Sequence, residues 1–321
     1  MNSRKRVDES TPTSVRDRLA HWRQLLERCG RKATRKRVHA LRVVTLRVQA
    51  ELERDLADLP RASHQAQAIL RFGKRAEKLR QALAPVRELD VWIGKLRGLR
   101  GSLNKTDEYV PRSMRECVGG IDRLEERLKK KRIVAEKRLV AAINKPGRLG
   151  GRLVKASEDV EQSLSDHIFG ADAGTAEELA ARFRAVRAEF SNFDEENLHE
   201  FRKRIKAVRY LAEIHAGANR ATAQIASQMK KVQSAIGEWH DWQELGREAH
   251  RGHRAKSKPL AELLDTVTAE SFETALSTVH AVSAQMQGDD PVQDQDSHPE
   301  HRKLPARGDY GPFADLDKKL A

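Results

Sequence analysis

Two histidine-led segments hold the residues best suited to chemistry. In LHEFRKRIKAVRYLA, residues 198–212, His199, Arg202, Lys206 and Arg209 recur at spacings of three, four and three. At about 100° per residue they share one helical face, beside an apolar face of Phe201, Ile205, Val208 and Ala212. A rise of about 1.5 Å per residue makes the row roughly 15 Å long. Cations at that pitch suit a ligand with repeating negative charge: Arg forks onto two phosphate oxygens, and Lys acts as a mobile point charge. The segment VHALRVVTLRVQAEL, residues 38–52, repeats the pattern at an offset of 160 residues. His39 then lies over His199 and Arg42 over Arg202, with Arg47 further along.

Other basic rows have the same form. Arg71, Lys74, Arg75 and Lys78 flank the apolar set Phe72, Ala76, Leu79 and Leu83. Arg123, Arg127, Lys130 and Lys137 make a third row, and Arg247, Arg251, Arg254 and Lys258 a fourth, with few acids at the same wheel angles. Lys230 and Lys231 complete the set of candidate anion contacts. A single row of this kind is either a solvated face or a binding surface. Several rows beside apolar faces favour binding, because like charges on packed helices repel until an anion fills the space. His39 and His199 sit near helix starts, either as satisfied structural histidines or as donors to phosphate. Glu88 and Asp241, with Asp90 nearby, resemble helix N-terminal residues that accept backbone N–H bonds.

The usual catalytic signatures are missing: the sequence holds no G-x-x-x-x-G-K-[ST], no G-x-G-x-x-G and no H-E-x-x-H. His250 with His253, and His298 with His301, have ligand-like spacing but no third partner, so we expect no metal and no cofactor. Glu51-Leu52-Glu53-Arg54-Asp55 begins like the E-x-E-x-K strand of triphosphate tunnel enzymes, but lacks the Lys and falls in a helix. An enzyme acting on phosphoanhydrides needs acids for Mg²⁺, and only Glu88, Asp90 and Asp241 offer themselves. The expectation is therefore a binding protein without catalysis.

The elements that position these residues follow from composition. The 321 residues carry 61 Lys plus Arg against 47 Asp plus Glu, a formal charge of +14, with 39% apolar and 34% charged residues. That balance reads as all-α, with about ten helices and no confident strand. A net positive charge points to an anionic partner. Two cysteines, Cys29 and Cys117, rule out a disulfide framework. No apolar run approaches the roughly 20 residues of a membrane span, and MNSRKRVDES lacks the apolar stretch of a secretory signal, so we expect a cytoplasmic protein. We read residues 1–11 as a disordered N-terminus and 287–321, rich in Asp and Pro, as a disordered acidic tail. Without that tail, residues 1–286 carry a charge of +17, from 56 basic and 39 acidic residues. The helical region, 12–286, divides into copies of about 12–165 and 175–286, two similar helical bundles in one body. Each His helix is followed by another helix and a turn-like stretch, LAPVRELDVW at 83–92 and SAIGEWHDWQ at 234–243, with Glu88 over Asp241.

The motifs resemble those of the CHAD family, the conserved histidine α-helical domain. Val38, His39, Arg42, Val43, Thr45 and Arg47 match its V-H-x-x-R-V-x-T-R-R-L-R signature. Leu198, His199, Arg202, Lys206, Arg209 and Tyr210 match the second form, L-H-x-L-R-x-x-x-K-R-L-R-Y. The family's L-G-x-V-R-D-L-D-V element is met by Leu83, Val86, Arg87, Leu89, Asp90 and Val91, with Glu88 for Asp. Its L-G-E-L-N-D form is met by the run from Ile236 to Asp241. The resemblance implies two four-helix bundles related by a pseudo-twofold, with a basic central cavity or pore that binds inorganic polyphosphate, at polyphosphate granules. It also makes His39, Arg42, Arg47, His199, Arg202, Lys206 and Arg209 ligand-lining candidates. Leu46, Gln49 and Ala207 depart from the family's Arg positions, so the second copy is expected to carry the stronger face. Nucleic acid is the alternative partner, although only three Tyr and eight Phe are present to stack on bases.

Overall fold

Helix α1 (Val15–Arg31) starts where Ser14 Oγ accepts a hydrogen bond from the Asp17 amide at 3.0 Å. Its buried residues, Leu19, Trp22, Leu25, Leu26 and Cys29, follow the three-and-four spacing of a core-facing stripe. The computed structural model describes residues 14–57, 59–103, 112–145, 147–164, 175–190, 192–215, 220–251 and 257–287. The chain continues through α2 (Arg35–Ala57), α3 (His64–Leu103), α4 (Arg112–Asn144) and α5 (Leu149–Ser163). It goes on through α6 (Ala176–Ala188), α7 (Glu195–His215), α8 (Arg220–His250) and α9 (Lys258–Gln287). Among the described residues there are nine helices, no strand, and no helix long and apolar enough to cross a membrane. The expected N-terminal segment 1–11 and the expected tail 287–321, apart from Gln287 at the end of α9, lie outside the described residues, as does Arg254 of the fourth row.

One expectation is corrected. The stretches 83–92 and 234–243 are not turns, and Glu88 and Asp241 are not helix starts. Both lie inside long helices, α3 and α8. The apolar stripe runs unbroken through each stretch, at Leu83, Val86, Leu89 and Ile93 in α3 and at Ile236, Trp239 and Trp242 in α8, all buried. Continuous burial of that stripe outweighs the single backbone bond lost at Pro85 and the weak helix propensity of Gly237.

The helices form two compact units, and these cut across the duplicated halves. The first holds residues up to Glu88 together with Lys131–Asp172, and the second holds Leu89–Lys130 and everything from Ala173. In the first unit Trp22 is fully buried, its ring edge-on to Phe72 at 5.3 Å between centroids. The Trp22 indole N–H donates to Thr45 Oγ1 at 2.8 Å, and that hydroxyl donates to the Leu41 carbonyl at 2.6 Å. Thr45 in the family motif is thus a buried acceptor that satisfies a core tryptophan. The corner between α4 and α5 turns on Gly147, at φ 66°, and on Gly150, where a Cβ would stand 2.0 Å from the Ile143 carbonyl oxygen.

In the second unit α8 packs against both α7 and α9. Phe183, Phe201 and Trp239 fill the core there, and Trp239 meets Phe272 at 5.4 Å. Elsewhere in this unit α3 and α4 are tied at Glu125, only 3% exposed, which takes Arg97 at 2.8 Å and Lys129 at 3.0 Å. Burial pushes the Glu125 carboxyl up, but hydrogen bonds from Arg97 and Lys129 outweigh it and hold the group below the usual carboxylate range.

Candidate functional site

The α7 row lies along the seam with α8. His199 is the fifth residue of α7 and half-buried, and its ring centroid is 4.6 Å from that of His240 on α8. One turn further along α7, the Arg202 guanidinium covers Gly237, where an added Cβ would meet Nη2 at 3.5 Å and Nε at 3.7 Å. Lys206 follows, half-buried. Arg209 ends the row, donating to Gln233 on α8 and to Glu213 at 2.8 Å through Nε. The two helices run antiparallel along this seam, so His240, Gly237 and Gln233 face His199, Arg202 and Arg209 in turn. The apolar face read from the sequence backs the row, with Phe201, Ile205, Val208 and Ala212 all buried.

Electrostatics along the seam are unbalanced. His240 is pushed down from 6.5 to about 4, first by burial, then by the charges of Arg202 and His199, against the opposing pull of Asp241 and Glu244. His199 is also lowered, by burial, then by Lys203, Arg202 and Lys206, with Glu200 opposing. Both imidazoles are therefore neutral at pH 7. Each keeps an enclosed Nδ1 with no hydrogen-bond partner. An enclosed lone pair costs less than an enclosed N–H, which places the proton of each neutral ring on Nε2.

The first copy is built differently. His39 is also the fifth residue of its helix, α2, but is exposed, with Arg42 half-buried beside it. Arg47 is exposed and stands about 140° around the helix from Arg42, outside a common row. The position matching Lys206 is Leu46, and the position matching Arg209 is Gln49, which is buried and donates to the Gly73 carbonyl at 3.3 Å. Burial and then Arg87, Arg35 and Arg42 lower the His39 pKa. With Glu88 aligned on Asp241, Arg87 is the counterpart of His240. Each lead histidine thus faces one residue of the following long helix, a permanent cation in the first copy and an imidazole in the second.

The remaining rows separate. On α3, Arg71, Lys74 and Lys78 are exposed, while Arg75 donates to the Arg152 carbonyl at 2.9 Å. Lys230 and Lys231 are exposed on α8. The third row divides, with Arg123, Arg127 and Lys130 in the second unit and the exposed Lys137 in the first. The expectation that acids near these rows are few is overturned for the fourth row, and acids also meet members of the third. Arg247 pairs with Glu244 at 2.6 Å, Arg251 with Glu248 at 3.9 Å and Lys258 with Glu262 at 3.4 Å. Arg127 pairs with the Glu248 carboxylate on α8 at 3.3 Å, and Lys130 reaches Glu126 at 4.0 Å. Acids three or four residues away reach round the helix and neutralise cations that a wheel angle leaves alone. Arg123 and Arg127 line a recess of about 210 Å³ with Leu124, His250 and Lys258. Among the described residues no cluster of His, Cys, Asp and Glu could hold a metal ion.

Sequence reasoning missed His240 and Arg87 as members of the site. The alignment of the two long helices held the signal, but reading those stretches as turns left both side chains without a direction.

No curated protein matches the chain. Its fold is shared by solved structures, among them the following two. One is described as PptA from Streptomyces chartreusis, with TM-score 0.57 and 15% identity, covering 86% of this chain and 96% of that one. The other is the crystal structure of the CHAD domain from the plant Ricinus communis, with TM-score 0.58 and 17% identity, covering 86% of this chain and 90% of that one. The model of the CHAD domain family matches residues 13–250, from α1 to the end of α8 and through all four motifs. The chain belongs to the CHAD domain family.

Proposed function

We propose that this protein binds inorganic polyphosphate without catalysis, chiefly through the α7–α8 seam, and resides in the cytoplasm at polyphosphate deposits. The family is associated with polyphosphate binding, and the seam supplies the chemistry. The observation that carries the reading is the run His199, Arg202 and Lys206, half-buried against α8 and backed by the core. Half-burial holds these groups at a fixed pitch, so a repeating polyanion loses little side-chain entropy on binding. It also lowers the local dielectric, which strengthens each charge-assisted hydrogen bond. The other basic candidates, led by Arg71, Lys74 and Lys78 on α3, attract the chain at longer range.

The test is calorimetric titration of long-chain polyphosphate into the wild type and an Arg202→Ala/Lys206→Ala variant. Loss of two such contacts predicts a drop in affinity of tenfold or more. The slope of log affinity against log salt should become shallower by roughly one to two. Unchanged affinity in a variant with wild-type helicity refutes the assignment. Displacement of polyphosphate by duplex DNA at equal phosphate concentration would put nucleic acid in its place.

A further inference from the structure

We propose that the His199–His240 pair makes polyanion binding at the α7–α8 seam proton-coupled, so that the second copy tightens its grip as the pH falls through the mildly acidic range. The proposal rests on the polyphosphate reading above and names how that site is regulated. It begins with geometry: two imidazoles from different helices sit 4.6 Å apart at one end of the cationic row, beside the Arg202 guanidinium.

The charged groups around the pair come from both helices. On α7 they are Glu200, Arg202, Lys203 and Lys206, and on α8 they are Asp241 and Glu244. Several of the acids have cations of their own. Glu200 holds Lys203 at 3.1 Å, and Glu244 holds Arg247 at 2.6 Å. Glu195, at the start of α7, accepts from Gln243 on α8 at 2.6 Å. Besides burial, Arg202, Lys203 and Lys206 are what keep the imidazoles deprotonated. Of these, Arg202 and Lys206 are also the cations that a phosphate chain engages.

A bound polyanion therefore cancels the repulsion that holds the imidazoles neutral, and adds an attraction for the charged form. Binding takes up protons. By linkage, protons must then strengthen binding. The first copy has no second imidazole at the matching position, where Arg87 stands in place of His240. The second copy therefore brings two imidazoles to the seam where the first brings His39 alone.

The experiment titrates long-chain polyphosphate into the full-length protein at about pH 8 and about pH 5.5, at fixed ionic strength, in two buffers of different ionisation enthalpy. Internal phosphates of long chains do not titrate in this range, so the ligand contributes little. If binding restores the pair toward an ordinary imidazole pKa, wild-type affinity rises about tenfold between those pH values, with net proton uptake. His240→Arg should bind more tightly than wild type at about pH 8 and lose most of the pH dependence. His240→Gln should lose the larger part of it without that gain, and serves if the Arg variant does not fold. Wild-type binding whose pH dependence is the same in His240→Gln overturns the coupling and leaves the polyphosphate reading standing. Absence of wild-type binding at both pH values overturns both.

Discussion

Replacing His240 with Gln should change how stability depends on pH, even with no ligand present. Burial on α8, with Arg202 and His199 close by, holds the imidazole at about 4, against 6.5 for the free side chain. Between those values the unfolded chain binds a proton that the folded chain refuses. Stability from this group is therefore complete above about pH 6.5 and is lost as the pH falls toward 4. From about pH 7.5 to about pH 5 the linkage integral comes to about 2 kcal/mol, and partial exposure of the ring brings it to between about 1 and 2 kcal/mol. Gln keeps a similar size and a polar end but cannot titrate. Urea denaturation followed by circular dichroism at both pH values gives the comparison, and the carboxylates contribute alike to both proteins. The wild type should lose more stability than the variant over this interval. Equal losses would show that the seam does not exclude a proton from His240.

Two further outcomes follow from the same contacts. Thr45→Val leaves the fully buried Trp22 indole N–H without its acceptor, which should cost about 1–3 kcal/mol, whereas Thr45→Ser should recover most of the thermal midpoint. Arg209→Met should lower polyphosphate affinity less than about threefold in calorimetric titration, because Glu213 and Gln233 already engage the Arg209 guanidinium; a loss of about tenfold would place Arg209 among the ligand contacts.

What could be read from residues alone depended on the range of the interaction. In α7, local periodicity separates the cations from Phe201, Ile205, Val208 and Ala212, and the structure buries that apolar set. Thr45 reads only as a motif position, because its partner Trp22 lies 23 residues earlier on another helix. Pro85 and Gly237 carry the composition of a turn, yet the apolar stripe around each is continuous and the helices run through. Arg247 looks free on a wheel, although Glu244 is near enough to reach it along the helix surface. His240 became visible as a neighbour of His199 only once α7 and α8 were packed, since no local pattern links residues 41 positions apart.

The most direct measurement is long-range proton–nitrogen NMR of the imidazole groups during titration with long-chain polyphosphate at about pH 7. The account predicts that His199 and His240 shift early and together, with their nitrogens moving toward the protonated range. If the protein binds polyphosphate to saturation while both rings keep their free-state resonances, the seam between α7 and α8 is not where the ligand lies.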